Sequence, residues 1–330
     1  MATVITNLLS AIPWLGKSLV ELKDIIKYKN IYYNYIKYKI VLCKYYNIVI
    51  LDTIGKISPY AIKRGWKEKV DKDVFSNIPY SFLSMLIGFI DGDGYIGITK
   101  SKKDYIKINL VISLDIKDIS ILYYIQSILK IGIIKTYPKS GNKNTCKLVI
   151  YKTDLQVFLF PLFIKNKLFF LTKIRNEQYC KALYIMKNDI KLFSDIPNKN
   201  FSNLDFVITN SKDIVKLQFF SNWIVGFTVA EGSFVLKINK DASFQFRQRK
   251  EAMLFEAIKL KFNSKRKIYY DKNNLYCQLS MSSKKDVQNV VNFFSFSGNH
   301  PLIGLKLLSY QKWILYLRGS KRYGKLILPN

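Results

Sequence analysis

One short word occurs twice in this chain, and each time it ends an apolar run in the same way. Gly88-Phe89-Ile90-Asp91-Gly92-Asp93-Gly94 and Gly226-Phe227-Thr228-Val229-Ala230-Glu231-Gly232 both close on a carboxylate followed by glycine. The copies lie a domain's length apart, which is the pattern of one compact unit repeated and not of a local duplication. Each word ends a predicted helix, Ser84 to Asp93 and Leu217 to Glu231, and each helix places small residues four apart: Gly88 with Gly92, and Gly226 with Ala230. That spacing puts both small residues on one face, where a second backbone can approach closely. If the helices pack along those faces, their ends coincide and Asp93 meets Glu231 near a local two-fold axis. A carboxylate at a helix C-terminus opposes the macrodipole by roughly 0.3 to 1 kcal/mol, and a second one beside it adds like-charge repulsion. A divalent cation between them removes both penalties.

A single glycine-acid word is usually an ordinary helix ending in a C-cap glycine. Recurrence at domain spacing argues against that here, as do the strand-like stretches that follow each copy, Tyr95 to Thr99 and Ser233 to Ile238.

The rest of each repeat reads alike. In the first, Tyr105, Lys107 and Asn109 alternate with Ile106, Ile108 and Leu110, a strand with one polar face. Ser113 or Asp115 is placed to cap a helix carrying Ile121, Ile125, Ile128 and Leu129, with Gly132 beyond its end. Strands near Ile133 to Tyr137 and Thr145 to Tyr151 follow, joined by a turn from Pro138 to Asn144, and then helices around Asp154 to Phe163 and Leu171 to Met186. In the second, Ser243, Gln245 and Arg247 alternate with Phe244 and Phe246. A helix over Glu251 to Phe262, strands near Lys267 to Asp271 and Leu275 to Met281, a helix capped by Ser283 and a last helix over Ile303 to Leu317 complete it. Residues 188–210 are polar, contain Pro197 and show no period, so they read as a linker between repeats at 81–187 and 211–330. Residues 17–80 are rich in Lys, Tyr and Ile; a removable leader, a helical arm on nucleic acid and a linker all remain open for them.

At 330 residues the chain can bury two sizeable cores, and its net charge of +30 points to a polyanionic partner. Abundant Lys, Ile, Asn, Tyr and Phe match translation of an AT-rich genome, so the charge supports nucleic-acid binding without specifying it. There is one histidine, His300, which precedes Pro301 and reads as structural, and the four cysteines, Cys43, Cys146, Cys180 and Cys277, form no close pair. Zinc fingers and histidine-based phosphodiester chemistry need more than this, so metal chemistry here rests on oxygen ligands, which suits magnesium. No run of eighteen uncharged apolar residues occurs, which argues against stable membrane insertion and against a membrane-associated structural protein.

The paired words resemble the motifs of the LAGLIDADG homing endonucleases, over roughly Ser81 to Pro329. Within that family the phrases Ile87 to Thr99, Phe220 to Ser233 and Pro301 to Trp313 are most similar to endonuclease/maturases encoded in group I introns of the fungal mitochondrial cytochrome b gene. Ala2 to Gly16 resembles cytochrome b itself, as expected of an intron reading frame fused to its upstream exon and translated inside the mitochondrion. The resemblance implies an α+β fold of two pseudo-symmetric αββαββα repeats whose antiparallel sheets form a saddle, acting as a monomer. It implies Mg2+, two or three ions shared by Asp93 and Glu231 with Gly92 and Ala230 beside them, while Asp91, matched by Val229, is no ligand. By matching, Lys173, Lys306 and Gln248 surround that cluster. The saddle's polar face would enter the DNA major groove through Lys100, Tyr105, Lys107, Asn109, Lys135 and Lys147 of the first repeat and Gln245, Arg247, Arg249, Lys267 and Gln278 of the second.

Two activities follow as expectations: a staggered double-strand break in double-stranded DNA at the intronless cytochrome b junction, and maturase binding of the host group I intron RNA during splicing, with or without retained cleavage.

Overall fold

The two motif helices form where the apolar runs place them and are buried on nearly every side. Helix α1 spans Tyr80–Asp93, with every residue from Phe82 to Asp91 buried; of the elements labelled below, its counterpart α6 spans Phe220–Glu231. A helix that is apolar all round belongs in a core. The hydroxyls inside these helices are satisfied locally, Ser84 donating to the Tyr80 carbonyl and Thr228 to the Ile224 carbonyl, both at 2.7 Å. The computed structural model describes residues 78–329 apart from 141–142, 203, 205–207, 250 and 274. The exon-like stretch at 1–16, the segment 17–77 and Cys43 therefore lie outside the described residues.

In the first repeat α1 leads into β1 (Gly94–Lys100), β2 (Ile106–Asp115), α2 (Ile119–Leu129), β3 (Ile133–Ser140) and β4 (Lys143–Tyr151). The helical run α3 over 152–165, with a π-helical turn at Leu155–Leu159, and α4 (Lys173–Lys187) follow. After the short α5 (Ser211–Lys216), the second repeat runs α6, β5 (Gly232–Leu236), β6 (Ala242–Arg249), α7 (Ala252–Lys261), β7 (Tyr269–Tyr270), β8 (Tyr276–Met281), α8 (Lys284–Val291) and α9 (Gly304–Gly319). Each repeat holds a four-stranded antiparallel sheet of the same order, β1-β2-β4-β3 and β5-β6-β8-β7. The α+β class and the paired sheets are as the sequence predicts.

Alternation decides which face of each sheet is buried. Ile96, Ile108, Leu110, Ile112, Cys146, Leu148 and Ile150 line the inner face of the first sheet, and Phe244, Phe246, Cys277, Leu279 and Met281 that of the second. Cross-strand partners share a face, so the register Thr99↔Lys107, Gly97↔Asn109, Ser113↔Lys147 and Lys135↔Lys147 collects the polar residues on the opposite side.

Local chemistry refines several boundaries. Asp115, not Ser113, supplies the cap: its carboxylate accepts from the Lys117 N–H at 2.9 Å and starts the turn Ile116–Asp118 ahead of α2, while Ser113 stays in β2. Lys130, in the left-handed region at φ 56°, closes α2. Ser283 caps α8 in a reciprocal box with Asp286. The predicted Pro138 to Asn144 turn is tighter than expected, with strand pairing reaching Ser140↔Lys143. The stretch read as linker is not featureless: Ile106 N–H donates to the Lys191 carbonyl and Phe193 N–H to that of Asp104, fastening it to the β1–β2 loop.

His300 is structural, as expected. Its backbone N–H donates to Asn222 Oδ1 at 2.6 Å, and its ring spans Tyr124 Oη at 3.0 Å and the Pro301 carbonyl at 2.8 Å, tying the second repeat to α2 of the first. Cys146 and Cys277 are buried and Cys180 is half-buried. Among the described residues no helix is long and apolar enough to cross a membrane.

Candidate metal and nucleic-acid site

The seam between α1 and α6 is set by glycine. A Cβ on Gly88 would overlap the Trp223 carbonyl and lie 2.9 Å from its Cα; one on Gly226 would overlap the Met85 carbonyl and lie 2.6 Å from Phe89 N. Backbone stands on the far side in both cases, so nothing can move aside cheaply. One turn further on, Gly92 faces Ala230, and Glu231 Cγ lies 3.3 Å from where a Gly92 Cβ would be. The helices therefore end together, and their last residues, Asp93 and Glu231, sit side by side and half-buried.

Both carboxylates are held in an unfavourable state. Burial, then the neighbouring Glu231, pushes Asp93 up to about 7, against the pull of Lys306 and Arg175. Glu231 is also raised by burial, opposed by its hydrogen bond from Gln248 and by Lys306 and Arg175. Two desolvated acids kept at close quarters by the seam offer hard oxygen donors of the kind that could hold Mg2+. The donor set is small: among the described residues no three His, Cys, Asp or Glu side chains form a metal cluster. Backbone carbonyls, water and a phosphate ligand would complete the shell. Asp93 opens into a cleft shared with Ser113, Asp115, Asp118, Val229, Ala230, Leu305 and Lys306.

The groups around the pair come from both repeats. Gln248 Nε2 donates to Glu231 Oε1 at 2.7 Å. Lys306, the third residue of α9, donates to the Gly232 carbonyl and is held below the usual lysine value by burial, with Asp93, Asp118 and Glu231 opposing that shift. In the first repeat the corresponding basic residue is Arg175, the third residue of α4, whose charge is felt by Asp91, Asp93 and Glu231. Lys173 is the residue that the resemblance placed there. That residue is the first of α4 and exposed, and its backbone N–H donates to Glu251. Aligning Lys173-Ile174-Arg175 with Gly304-Leu305-Lys306 at their helix starts reveals the match; alignment by residue type does not. The buried Nε of Arg175 meets no hydrogen-bond acceptor among the described residues.

Asp91 is the other residue that sequence leaves without a role. It is fully buried and accepts four hydrogen bonds, from Leu171 N at 2.8 Å, Thr172 N at 3.2 Å, Thr172 Oγ1 at 2.6 Å and Trp223 Nε1 at 2.7 Å. Burial still lifts it to about 6. It thus pins the start of α4 and the α6 indole to α1.

The outward sheet faces carry most of the expected contact residues. Lys107, Asn109, Lys135 and Lys147 share one face, and Gln245, Arg247, Arg249 and Gln278 the other. Tyrosines join them: Lys147 lies over the Tyr137 ring at 5.1 Å, Arg247 over Tyr276 at 5.5 Å, and Lys135 Nζ donates to Tyr151 Oη at 3.1 Å. Three expected residues fall elsewhere. Lys100 pairs with Ile106 and so has the parity of the buried face, at the strand's last residue beside Asp104. Lys267 precedes β7, which is only two residues long. Tyr105 is exposed but outside β2, bridged to Leu192.

The family model for the LAGLIDADG endonuclease matches residues 86–183 and 224–317, together more than half of the chain and one match on each repeat. The chain belongs to the LAGLIDADG endonuclease family. Among curated relatives, a probable intron-encoded endonuclease aI3 of Debaryomyces hansenii is 32% identical over 142 residues, covering 42% of this chain and only 20% of that protein. A protein of the same name from Dictyostelium citrinum is 25% identical over 253 residues, covering 75% of this chain and 97% of its own length. Among solved structures, the meganuclease I-SmaMI bound to uncleaveable DNA superposes with TM-score 0.56 at 21% identity, over 72% of this chain and 92% of that one. The I-LtrWI LAGLIDADG homing endonuclease bound to target DNA gives 0.55 at 20%, over 73% and 91%. These likenesses establish the shared fold.

Proposed function

We propose that this chain is an intron-encoded endonuclease that cuts both strands of a DNA duplex at the intronless form of its own insertion site, with Mg2+ as cofactor and a staggered product. The observation that carries the reading is the meeting of Asp93 and Glu231 at the joined ends of α1 and α6, with one basic residue from each repeat beside them. Hydrolysis of a phosphodiester needs an aimed water, stabilisation of the phosphorane and a stabilised leaving oxygen. Mg2+, if held by Asp93 and Glu231, would supply electrophilic stabilisation of the phosphoryl and leaving oxygens. Asp93 and Glu231 would hold the cations; Lys306 and Arg175 place positive charge where the phosphorane develops negative charge; Gln248, through its bond to Glu231, orients water on that side. With both repeats in one chain, a monomer presents two half-sites, one per strand, and the two basic sheet faces grip the major groove.

Ala2 to Gly16 makes the cytochrome b junction the first candidate target and the mitochondrion the expected compartment. The test is incubation of purified protein and Mg2+ with a supercoiled plasmid carrying that junction, and with a pooled random-target library. A linear product with staggered ends is expected; intact DNA in both removes the reading.

A second activity, assisting the splicing of the host group I intron, is favoured by a basic and aromatic cluster away from the sheet faces. Lys199 lies 4.2 Å from the Tyr184 ring centroid and Lys181 5.7 Å from that of Phe201, with the two rings 5.3 Å apart. Such pairs bind unstacked bases and phosphate together. Filter binding to the intron RNA should exceed binding to unrelated structured RNA and should survive Asp93→Asn with Glu231→Gln; equal binding to both RNAs eliminates it.

A further inference from the structure

The two repeats exchange helix caps. Asp118 stands at the N-cap position of α2 and Glu251 at the N-cap position of α7, so they are topological equivalents. An acid there ordinarily bonds the first turn of its own helix. Neither does so. Asp118 Oδ1 instead accepts from the Leu305 N–H at 3.0 Å, at the start of α9 in the second repeat. Glu251 Oε1 accepts from the Lys173 N–H at 2.9 Å, at the start of α4 in the first. The receiving helices lack caps of their own: Ile303 has no polar side chain, and the Thr172 hydroxyl is spent on Asp91. Gly304 supports the arrangement independently. It sits at φ 61°, and a Cβ there would crowd Ile121 and come within 2.9 Å of Asp118 Oδ1, so glycine is what lets the acid reach the helix end.

The capped helices are those that carry Lys306 and Arg175 at their third residues. We propose that Asp118 and Glu251 are positioning residues, each fixing the basic side chain of the opposite repeat over the shared carboxylate pair, so that each half of the site is registered by the other. The role rests on the nuclease reading above. It differs from simple interface stabilisation because the two acids govern different basic residues and therefore different strands.

The test uses the full chain with Asp118→Ala, Asp118→Asn, Glu251→Ala and Glu251→Gln. Losing a cap of this kind should speed exchange of the capped amide about tenfold: Leu305 in D118A with Lys173 unchanged, and the reverse in E251A. On a supercoiled target plasmid with strand-specific end labels, D118A should slow one strand about tenfold and build up nicked circle, and E251A should slow the other strand. The Asn and Gln variants keep an acceptor oxygen and should restore both exchange and cutting to within about threefold of wild type. Equal slowing of both strands by either Ala variant, Asn and Gln variants as impaired as Ala, or unchanged exchange would each overturn the proposal. A wild-type protein that cuts neither strand would overturn the nuclease reading and this role with it, while the exchange pattern would still show whether the caps exist.

Discussion

Replacing Asp93 by Asn should stabilise the metal-free protein while abolishing its activity. The folded state raises the Asp93 carboxyl from an ordinary 3.8 to about 7. That is about three pKa units, or about 4 kcal/mol at 1.36 kcal/mol per unit if none is relieved by solvent. Asp93 is only half-buried, so a retained cost of about 1 to 3 kcal/mol is expected. The sign follows from proton binding. Between pH 4 and 7 the folded chain holds a proton that the unfolded chain releases, so stability is full below the unfolded pKa and falls as pH rises through the folded one. Asn has no proton to lose. Thermal unfolding in EDTA should therefore show D93N melting about 2 to 12 °C above wild type at pH 8, using about 2 to 4 °C per kcal/mol for a unit of this size. The gap should close as pH approaches 4. Millimolar Mg2+ should narrow it at pH 8 by stabilising the wild type alone. An unchanged or lower melting temperature for D93N at pH 8 in EDTA would refute the claim that two desolvated acids are held together against repulsion.

The glycine seam predicts that Gly88→Ala and Gly226→Ala each destabilise by about 3 kcal/mol or more, because the added methyl meets backbone; denaturant midpoints measure it, and a loss below about 1 kcal/mol would mean the helices are farther apart than described. Asp91→Ala should cost about 3 to 5 kcal/mol by stranding four donors, one of them the Trp223 indole, which near-ultraviolet dichroism would report along with the melt. If Arg175 and not Lys173 is the basic partner, Arg175→Ala should lower the cleavage rate constant about a hundredfold at saturating DNA and Lys173→Ala less than about threefold, the larger figure being typical of a lost oxyanion stabiliser. Lys147→Ala on the outward face should weaken DNA binding and reduce the slope of log affinity against log salt by about one; an unchanged slope would remove it from the phosphate contacts.

Where a structural rule is local, the residues announce it. The glycine spacing of α1 and α6 foretells their contact, and alternation in β2 and β6 foretells which residues face outward. Lys100 shows the limit of alternation: one position of parity separates it from Thr99, and only the register Thr99↔Lys107 and Lys100↔Ile106 assigns the faces. Arg175 is hidden for a related reason. Lys173 and Arg175 are both basic, and choosing between them requires knowing that α4 begins at 173, which Asp91 and Glu251 determine from far along the chain. The exchanged caps have no local signature at all, because Asp118 and Glu251 look like acids at the starts of their own helices, and their partners become neighbours only when the repeats dock.

Diffraction from crystals of the protein bound to its DNA target and soaked in Mn2+, recorded at the manganese edge, tests the shared cation site most directly. Anomalous peaks between the Asp93 and Glu231 carboxylates, lost in the D93N/E231Q double variant, are the predicted result. Peaks confined to other surfaces, with the two carboxylates turned away from any ion and from the scissile phosphates, would contradict it.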